Sequence, residues 1–130
     1  MTIPANRSFL TKVMYIDGAF SLLSGAVFSA FSTEVSSRLG PLAPPAFVLT
    51  LGLLLIGWGI FHVVAARSAN SIAVKLAIAG DAVWVVASLV VLIALNDGLT
   101  SVGFWAVALV TVIVADMLFL KSKGLKRQAA

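Results

Sequence analysis

The sequence contains no cysteine and few charged residues. Without cysteine the chain can form neither disulfides nor thiolate metal sites, and it has no cysteine nucleophile. Charged residues make up 11% of its 130 residues, and apolar residues make up 61%. A soluble domain carries about a quarter charged residues, because water must wet its surface. The chain has too few charges to cover a globule of this size, so lipid must solvate much of its surface.

The motifs of common enzymes are also missing. The sequence has no HExxH, no CxxC, no glycine-rich phosphate loop and no Ser–His–Asp arrangement. Its one histidine, His62, offers at most one axial ligand to a haem or a chlorophyll. The net charge of +4 does not indicate nucleic acid, because the basic residues flank apolar segments. We therefore expect a non-enzymatic protein that binds no nucleic acid, and the sequence identifies no cofactor and no metal.

Four apolar stretches predict membrane-spanning helices, at about 13–31, 46–66, 75–95 and 102–120. Each is close to the roughly 20 residues that cross ~30 Å of hydrocarbon. None has a proline in its interior, and backbone groups in lipid must be satisfied within the segment, so we expect helices. The first stretch is too long for the apolar region of a typical signal peptide, and Asp17 interrupts it early, so we expect it to be retained.

The basic residues predict the orientation. Eight of the nine lysines and arginines fall at the chain ends or around the second connection, and only Arg38 falls in a loop of opposite sidedness. The positive-inside rule then places both termini in the cytoplasm. Short connections join antiparallel neighbours. We expect one domain, residues 1–130, folded as an all-α, up-down-up-down bundle of four transmembrane helices.

One ionisable residue of each predicted span lies near its cytoplasmic end: Asp17, His62, Asp81 and Asp116. At 1.5 Å per residue, each lies about 7–9 Å inward from the nearest boundary charge. A carboxylate costs about 2.5–3.5 kcal/mol at the centre of a span and less near the interface, so it usually faces the bundle interior or water. The four residues therefore predict a polar cluster that holds a proton, a metal ion or an organic cation.

Simpler explanations exist for three of these residues. The positive end of the helix dipole favours Asp17 and Asp81 in the early turns of their helices. A lone His62 on an apolar helix is often a packing residue. Asp116 is different, because the dipole disfavours an anion near the C-terminal end of a helix. It needs a partner, either His62 or a lysine, and it is our first candidate for a functional acid, with Asp81 second.

Two tryptophans lie beside the predicted cluster. Trp58 is one turn before His62, and Trp84 is almost one turn after Asp81. Aromatic walls next to carboxylates suit a lipophilic cation, although core packing is the more common role of tryptophans at such positions. Two further patterns are a stripe on one helical face (Asp17, Ser21, Ser24, Phe28) and a pair of glycines that would let another helix approach closely (Gly52, Gly59).

The first and third spans share a pattern of aspartate, an aromatic three residues later and serine seven residues later. The two segments are residues 17–24 and 81–88. A duplicated hairpin would produce this pattern, and so would shared packing demands.

Two segments carry a resemblance to a known family. Tyr15-Ile-Asp17-Gly-Ala-Phe-Ser-Leu-Leu-Ser24-Gly25 resembles the D-A-x-x-S-x-x-x-G run of an uncharacterised family of small four-span bacterial inner-membrane proteins, and residues 80–88 are similar to its N-x-x-W-V-x-A-S segment. Asp81 stands where that family has asparagine. The resemblance implies a bacterial cytoplasmic membrane and assigns no chemistry. Small multidrug-resistance transporters also have four spans and an acid in the first, but this chain lacks their glycine-rich third helix, and no motif identifies a DoxX-like protein.

Three functional hypotheses follow. The first is a non-enzymatic membrane protein that binds a small ligand or a partner through the cytoplasmic half of its bundle. The second is a proton-coupled or cation transporter that works as an oligomer. The third is an accessory subunit of a larger respiratory or photosynthetic complex.

Overall fold

Five α-helices make up most of the part of the chain that the structure describes. The computed structural model describes the backbone of residues 5–68 and 70–129 and the side chains of residues 9–68 and 70–127. The helices are α1 (Ala5–Ala30), α2 (Ser32–Leu39), α3 (Pro45–Ser68), α4 (Ser71–Ala94) and α5 (Ser101–Ala129), and a short 3-10 turn covers Asn96–Gly98. The described residues contain no β-strand, so the predicted all-α fold is confirmed there.

The four long helices correspond to the four predicted spans. Each contains a segment that is long and apolar enough to cross a membrane: Phe9–Ala30, Pro45–Ser68, Ser71–Ala94 and Ser101–Arg127. Both α1 and α5 extend beyond the predicted bounds, because the polar residues that flank these spans remain helical. Many large apolar side chains on the long helices are exposed, including Leu23, Leu54 and Ile93. These features indicate a multi-pass membrane protein.

The first connection, predicted as a loop, contains the short helix α2. Ser36 of this helix donates a hydrogen bond to the Ala43 carbonyl at 2.6 Å. Gly40 follows with a φ of 115°, in the region that favours glycine. The backbone N–H of Thr100 then donates to the Leu39 carbonyl at 2.8 Å. The bond between Thr100 and Leu39 ties the first connection to the third. Together these bonds fix the N-terminal ends of α3 and α5, which follow the two connections.

Helices α1 and α3 pack closely because glycines remove side chains from their contact. A Cβ atom on Gly25 would lie 2.7 Å from the carbonyl oxygen of Gly52. A Cβ atom on Gly59 would lie 2.9 Å from the carbonyl oxygen of Gly18. Both distances are shorter than real Cβ contacts, so only glycine fits. The prediction that Gly52 and Gly59 mark a close helix approach is confirmed, and the partner is α1.

The long helices leave a space between them. Helix α1 packs against α3 and α5, and α5 packs against α4, whereas α3 and α4 make few direct contacts. A small core closes one end of the bundle, where α1 and α4 begin and α3 ends (Leu10, Met14, Ala65, Ala66, Val74, Ala77). Beyond this core, residues of the four long helices line a cavity that is partly open to the outside of the bundle, since its lining residue Leu54 is 65% exposed. We call it the central cavity.

Candidate functional site

Each long helix contributes one side chain to a buried polar cluster. The cluster consists of Asp17 from α1, His62 from α3, Asp81 from α4 and Lys121 from α5, and we call it the four-residue cluster. All four residues are buried, and Lys121 and His62 are fully enclosed. The rise of 1.5 Å per residue places Asp17, His62 and Asp81 at a similar depth. Lys121 begins nearer the end of the bundle, and the Nζ atom of its long side chain reaches the other three.

Lys121 is the centre of the four-residue cluster. Its Nζ atom donates to Asp17 Oδ2 and to Asp81 Oδ2, and it lies 2.7 Å from His62 Nε2. An ammonium group has three N–H donors and no acceptor. The three neighbours therefore use all three donors, and the lysine is held by one bond to each of the other long helices.

The hydrogen bonds of His62 determine which ring nitrogen carries hydrogen. Its Nδ1 atom lies 2.9 Å from the Trp58 carbonyl oxygen, which only accepts, so Nδ1 donates. Its Nε2 atom lies 2.7 Å from the Lys121 ammonium, which only donates, and 3.2 Å from Asp17 Oδ2. The shorter contact makes Nε2 an acceptor. Beside an ammonium at Lys121, these contacts fit an imidazole ring with hydrogen on Nδ1 and an acceptor at Nε2.

The four-residue cluster is not balanced in charge when both aspartates are ionised. Two carboxylates carry two negative charges, Lys121 carries one positive charge, and neutral His62 carries none. The side chains of Asp17 and Asp81 are only 7% and 4% exposed. A net negative charge in such a setting is costly, because little water solvates it. The arrangement therefore favours the uptake of one further positive charge.

A mainly apolar cavity adjoins the four-residue cluster. Its volume is about 490 Å³. Asp17 and Asp81 line its polar end. Serines and aromatic and aliphatic side chains from all four long helices form the rest of the wall (Phe20, Ser21, Ser24, Phe28, Leu51, Leu54, Leu55, Trp58, Trp84, Val110, Val114). Pockets of about 300–1,000 Å³ with apolar walls and a few polar groups are typical of small-molecule sites.

Two carboxylate oxygens remain available at the polar end of the cavity. In the described part of the chain, Asp17 and Asp81 use only Oδ2 for hydrogen bonds, so neither Oδ1 atom has a donor. Neither Oδ1 is among the fully buried atoms without a partner, so each keeps accessible surface. Trp84 Nε1, by contrast, is buried with no acceptor among these residues. The polar end of the cavity is therefore lined by two carboxylates that each keep an acceptor without a donor among these residues, whereas Trp84 Nε1 has no accessible surface there.

The wall beside α4 depends on Gly80. A Cβ atom at this position would lie 2.4 Å from the Trp58 ring, so the absence of a side chain lets the indole lie against α4. Trp58 also packs on Phe61, with ring centroids 5.2 Å apart, and on the edge of His62, at 4.9 Å. Trp58 therefore lines the cavity and also contacts the imidazole ring of His62, which accepts the Lys121 hydrogen bond.

The structure brings together most of the predicted site residues. Asp17, His62 and Asp81 meet in the four-residue cluster, and Trp58 and Trp84 line the cavity next to it. The predicted stripe on α1 faces the cavity along its whole length. The two halves of the apparent repeat also contribute alike, since an aspartate and an aromatic residue from each line the cavity.

Asp116 does not join the cluster. It is exposed, and it makes no hydrogen bond or ion pair with the described residues. Lys121 supplies the side chain from α5 instead. The sequence interpretation treated this lysine as a boundary charge and missed its role. Two signals point to it. Two acids and a histidine at one depth require a cation, and Lys121 lies seven positions after the cavity-lining Val114, on the same face of α5.

A metal ion is the other cation that this donor set could hold. One donor atom each from Asp17, His62 and Asp81 lie within 4.8 Å of one another. The Lys121 ammonium sits among them, so a metal ion could bind there only after the lysine side chain has moved away.

No protein-family model, curated protein or solved structure matches the chain. The resemblance to the uncharacterised family of four-span proteins therefore stays a prediction, and the geometry of the site alone guides its interpretation.

Proposed function

We propose that this protein binds a small lipophilic cation in the central cavity, without catalysing a reaction. The observation that carries the proposal is the pair of buried carboxylates at the polar end of an otherwise apolar and aromatic cavity. An organic cation would place its charged head against Asp17 and Asp81 and its apolar body among the aromatic and aliphatic side chains. The faces of Trp58 and Trp84 would add attraction to the charge.

The charged head is most favourable as a primary ammonium group. Such a group donates hydrogen bonds, and the Oδ1 atoms of Asp17 and Asp81 are acceptors without a donor among the described residues. Its charge would also offset the negative charge of the four-residue cluster. The few contacts between α3 and α4 support a path for the apolar body from the lipid into the cavity.

The site does not favour an enzyme. Ser21 and Ser24 line the cavity, but neither forms a hydrogen bond with a base in the described part of the chain. Nucleophilic catalysis needs such a pairing to activate a hydroxyl group.

Orientation and location are part of the proposal. The distribution of lysine and arginine supports an up-down-up-down bundle with cytoplasmic termini. The resemblance of residues 15–25 and 80–88 to the four-span family supports a bacterial cytoplasmic membrane. The four-residue cluster would then lie in the cytoplasmic half. A homo-oligomer or a larger membrane complex remains a prediction, and the mass of the protein after mild solubilisation tests it.

Titration of the purified protein in detergent tests the binding proposal. The probe is 4-phenylbutylammonium, and 4-phenylbutanol is its neutral control of the same shape. A hydrogen bond to a charged group contributes about 1.5–3 kcal/mol, so the amine should bind about 10- to 100-fold more tightly than the alcohol. Fluorescence of Trp58 and Trp84 reports binding. Equal affinity for the two probes would show that the carboxylates do not select a cation.

Two asparagine variants locate the site. Asp81→Asn should lower the affinity for the amine about tenfold or more and change the affinity for the alcohol little. Asp116→Asn is the matched control, because Asp116 is exposed and lies outside the cavity lining. It should behave like the parent. A loss of amine affinity in both variants would contradict binding in the central cavity.

A further inference from the structure

We propose that the cavity exchanges its cation for a proton, so that each bound monovalent cation releases one proton from the four-residue cluster. The inference rests on the proposed function and adds the coupling to it. It comes from the charge count and the hydrogen-bond geometry of the cluster, together with the position of two carboxylate oxygens at the cavity.

The hydrogen bonds leave few places for a compensating proton. Lys121 already uses its three N–H groups, and it cannot accept a proton as an ammonium. A proton on His62 Nε2 would have Asp17 Oδ2 as an acceptor at 3.2 Å, but it would also face the Lys121 ammonium, another donor, at the shorter distance of 2.7 Å. The Oδ2 atoms of both aspartates accept from Lys121. Only the two Oδ1 atoms remain, and both belong to residues that line the cavity.

The same two oxygens are where a cationic head would bind. Without a ligand, a proton on one Oδ1 makes the cluster neutral: two aspartates, one of them protonated, face one ammonium and a neutral imidazole. When an ammonium ligand arrives, the O–H bond breaks and the proton passes to water. Its electron pair stays on the oxygen, which then accepts an N–H hydrogen bond from the ligand. The cluster and its ligand are again neutral, so the total charge at the site does not change.

No other charged group among the residues with described side chains enters this count. The titratable side chains that meet at the site are Asp17 from α1, His62 from α3, Asp81 from α4 and Lys121 from α5. The other charged residues on the described faces of the long helices are exposed (Lys12, Arg67, Lys75, Asp116, Lys123, Lys126, Arg127). One cation should therefore displace one proton.

Isothermal titration calorimetry measures this proton directly. The intact protein is titrated with 4-phenylbutylammonium at pH 6.5 in buffers that differ in ionisation enthalpy, such as phosphate and imidazole. The slope of binding enthalpy against buffer enthalpy gives the number of protons released, and we expect about one. An alkylamine stays protonated here, since its pKa is close to the ~10.4 of lysine. Over the pH range in which the four-residue cluster holds its proton, the Kd for the amine should fall about tenfold for each unit by which the pH rises.

Variants identify the source of the proton. In Asp81→Asn, the charge of the one remaining carboxylate is balanced by that of Lys121. The number of protons released should therefore fall to near zero. The ligand concentration is raised to compensate for the weaker binding. Asp17→Asn should give the same result and serves as a second variant if the first folds poorly. Asp116→Asn should still release one proton.

The outcomes separate the two proposals. Tight binding of the amine in preference to 4-phenylbutanol, with no proton release, overturns the exchange and leaves the proposed binding function intact. Proton release that persists in both Asp81→Asn and Asp17→Asn also overturns the exchange at this cluster. Absence of selective amine binding overturns both proposals.

Discussion

Replacement of Lys121 by methionine should destabilise the protein strongly. Methionine keeps much of the length and apolar volume of lysine and removes the ammonium group. Asp17 and Asp81 would then lose their shared counter-charge while their side chains remain 7% and 4% exposed. Removal of one partner from a buried ion pair costs about 3–5 kcal/mol, because the remaining charge is neither paired nor solvated. We expect a loss of about this size in the free energy of unfolding at pH 7.

Reversible unfolding in mixed micelles of dodecyl maltoside and SDS measures this loss. Lys123→Met is the matched control, because Lys123 is exposed and lies on the same helix two residues further along. A surface substitution of this kind changes stability by about 0.5 kcal/mol or less. If Lys121→Met and Lys123→Met unfold at the same SDS fraction, Lys121 does not hold the cluster together.

A triple variant separates charge from packing. In Lys121→Met combined with Asp17→Asn and Asp81→Asn, no charge remains to be paired. Replacement of a buried ion pair by uncharged groups is often neutral or stabilising. The triple variant should therefore recover most of the stability that Lys121→Met loses. No recovery would mean that the lysine side chain acts by filling space.

Three further predictions follow from close contacts and from the donor set. Gly80→Ala should weaken 4-phenylbutylammonium binding several-fold in the same titration, because the new Cβ atom would lie 2.4 Å from the Trp58 ring. Gly57→Ala, which has open space around its Cβ position, is the control. Gly25→Ala should lower the free energy of unfolding by about 1–3 kcal/mol. Its Cβ atom would meet the backbone of α3, and overpacked contacts cost about that much. Unfolding in mixed micelles measures the loss, with Gly57→Ala as the control. Lys121→Ala should gain a Zn²⁺-dependent rise in the unfolding midpoint that the parent lacks, because two carboxylates and an imidazole would converge on the position that the ammonium leaves.

Sequence alone was sufficient to predict four helices that are long and apolar enough to cross a membrane, and the common level of three polar residues along them. Hydropathy reports the position of a residue along the membrane normal, since lipid accepts only long apolar helices. The rise per residue then placed Asp17, His62 and Asp81 at one level. Both the four long helices and the meeting of these three residues are confirmed.

Tertiary structure decided which way each helix faces, and this determines the site. Asp116 and Lys121 lie about 7.5 Å apart along α5, and five residues turn the helix by about 140° between them, so the two side chains leave different faces. Contacts with the neighbouring helices, such as the fit of Gly103 against Leu39 and of Gly124 against Leu10, fix the rotation that turns Lys121 inward and Asp116 outward. Hydropathy carries little information about that rotation when a helix is apolar on all sides, so the sequence interpretation chose the wrong charge of the two for the cluster. The cavity likewise arises from tertiary packing, because its lining residues come from four helices that are separated in the sequence.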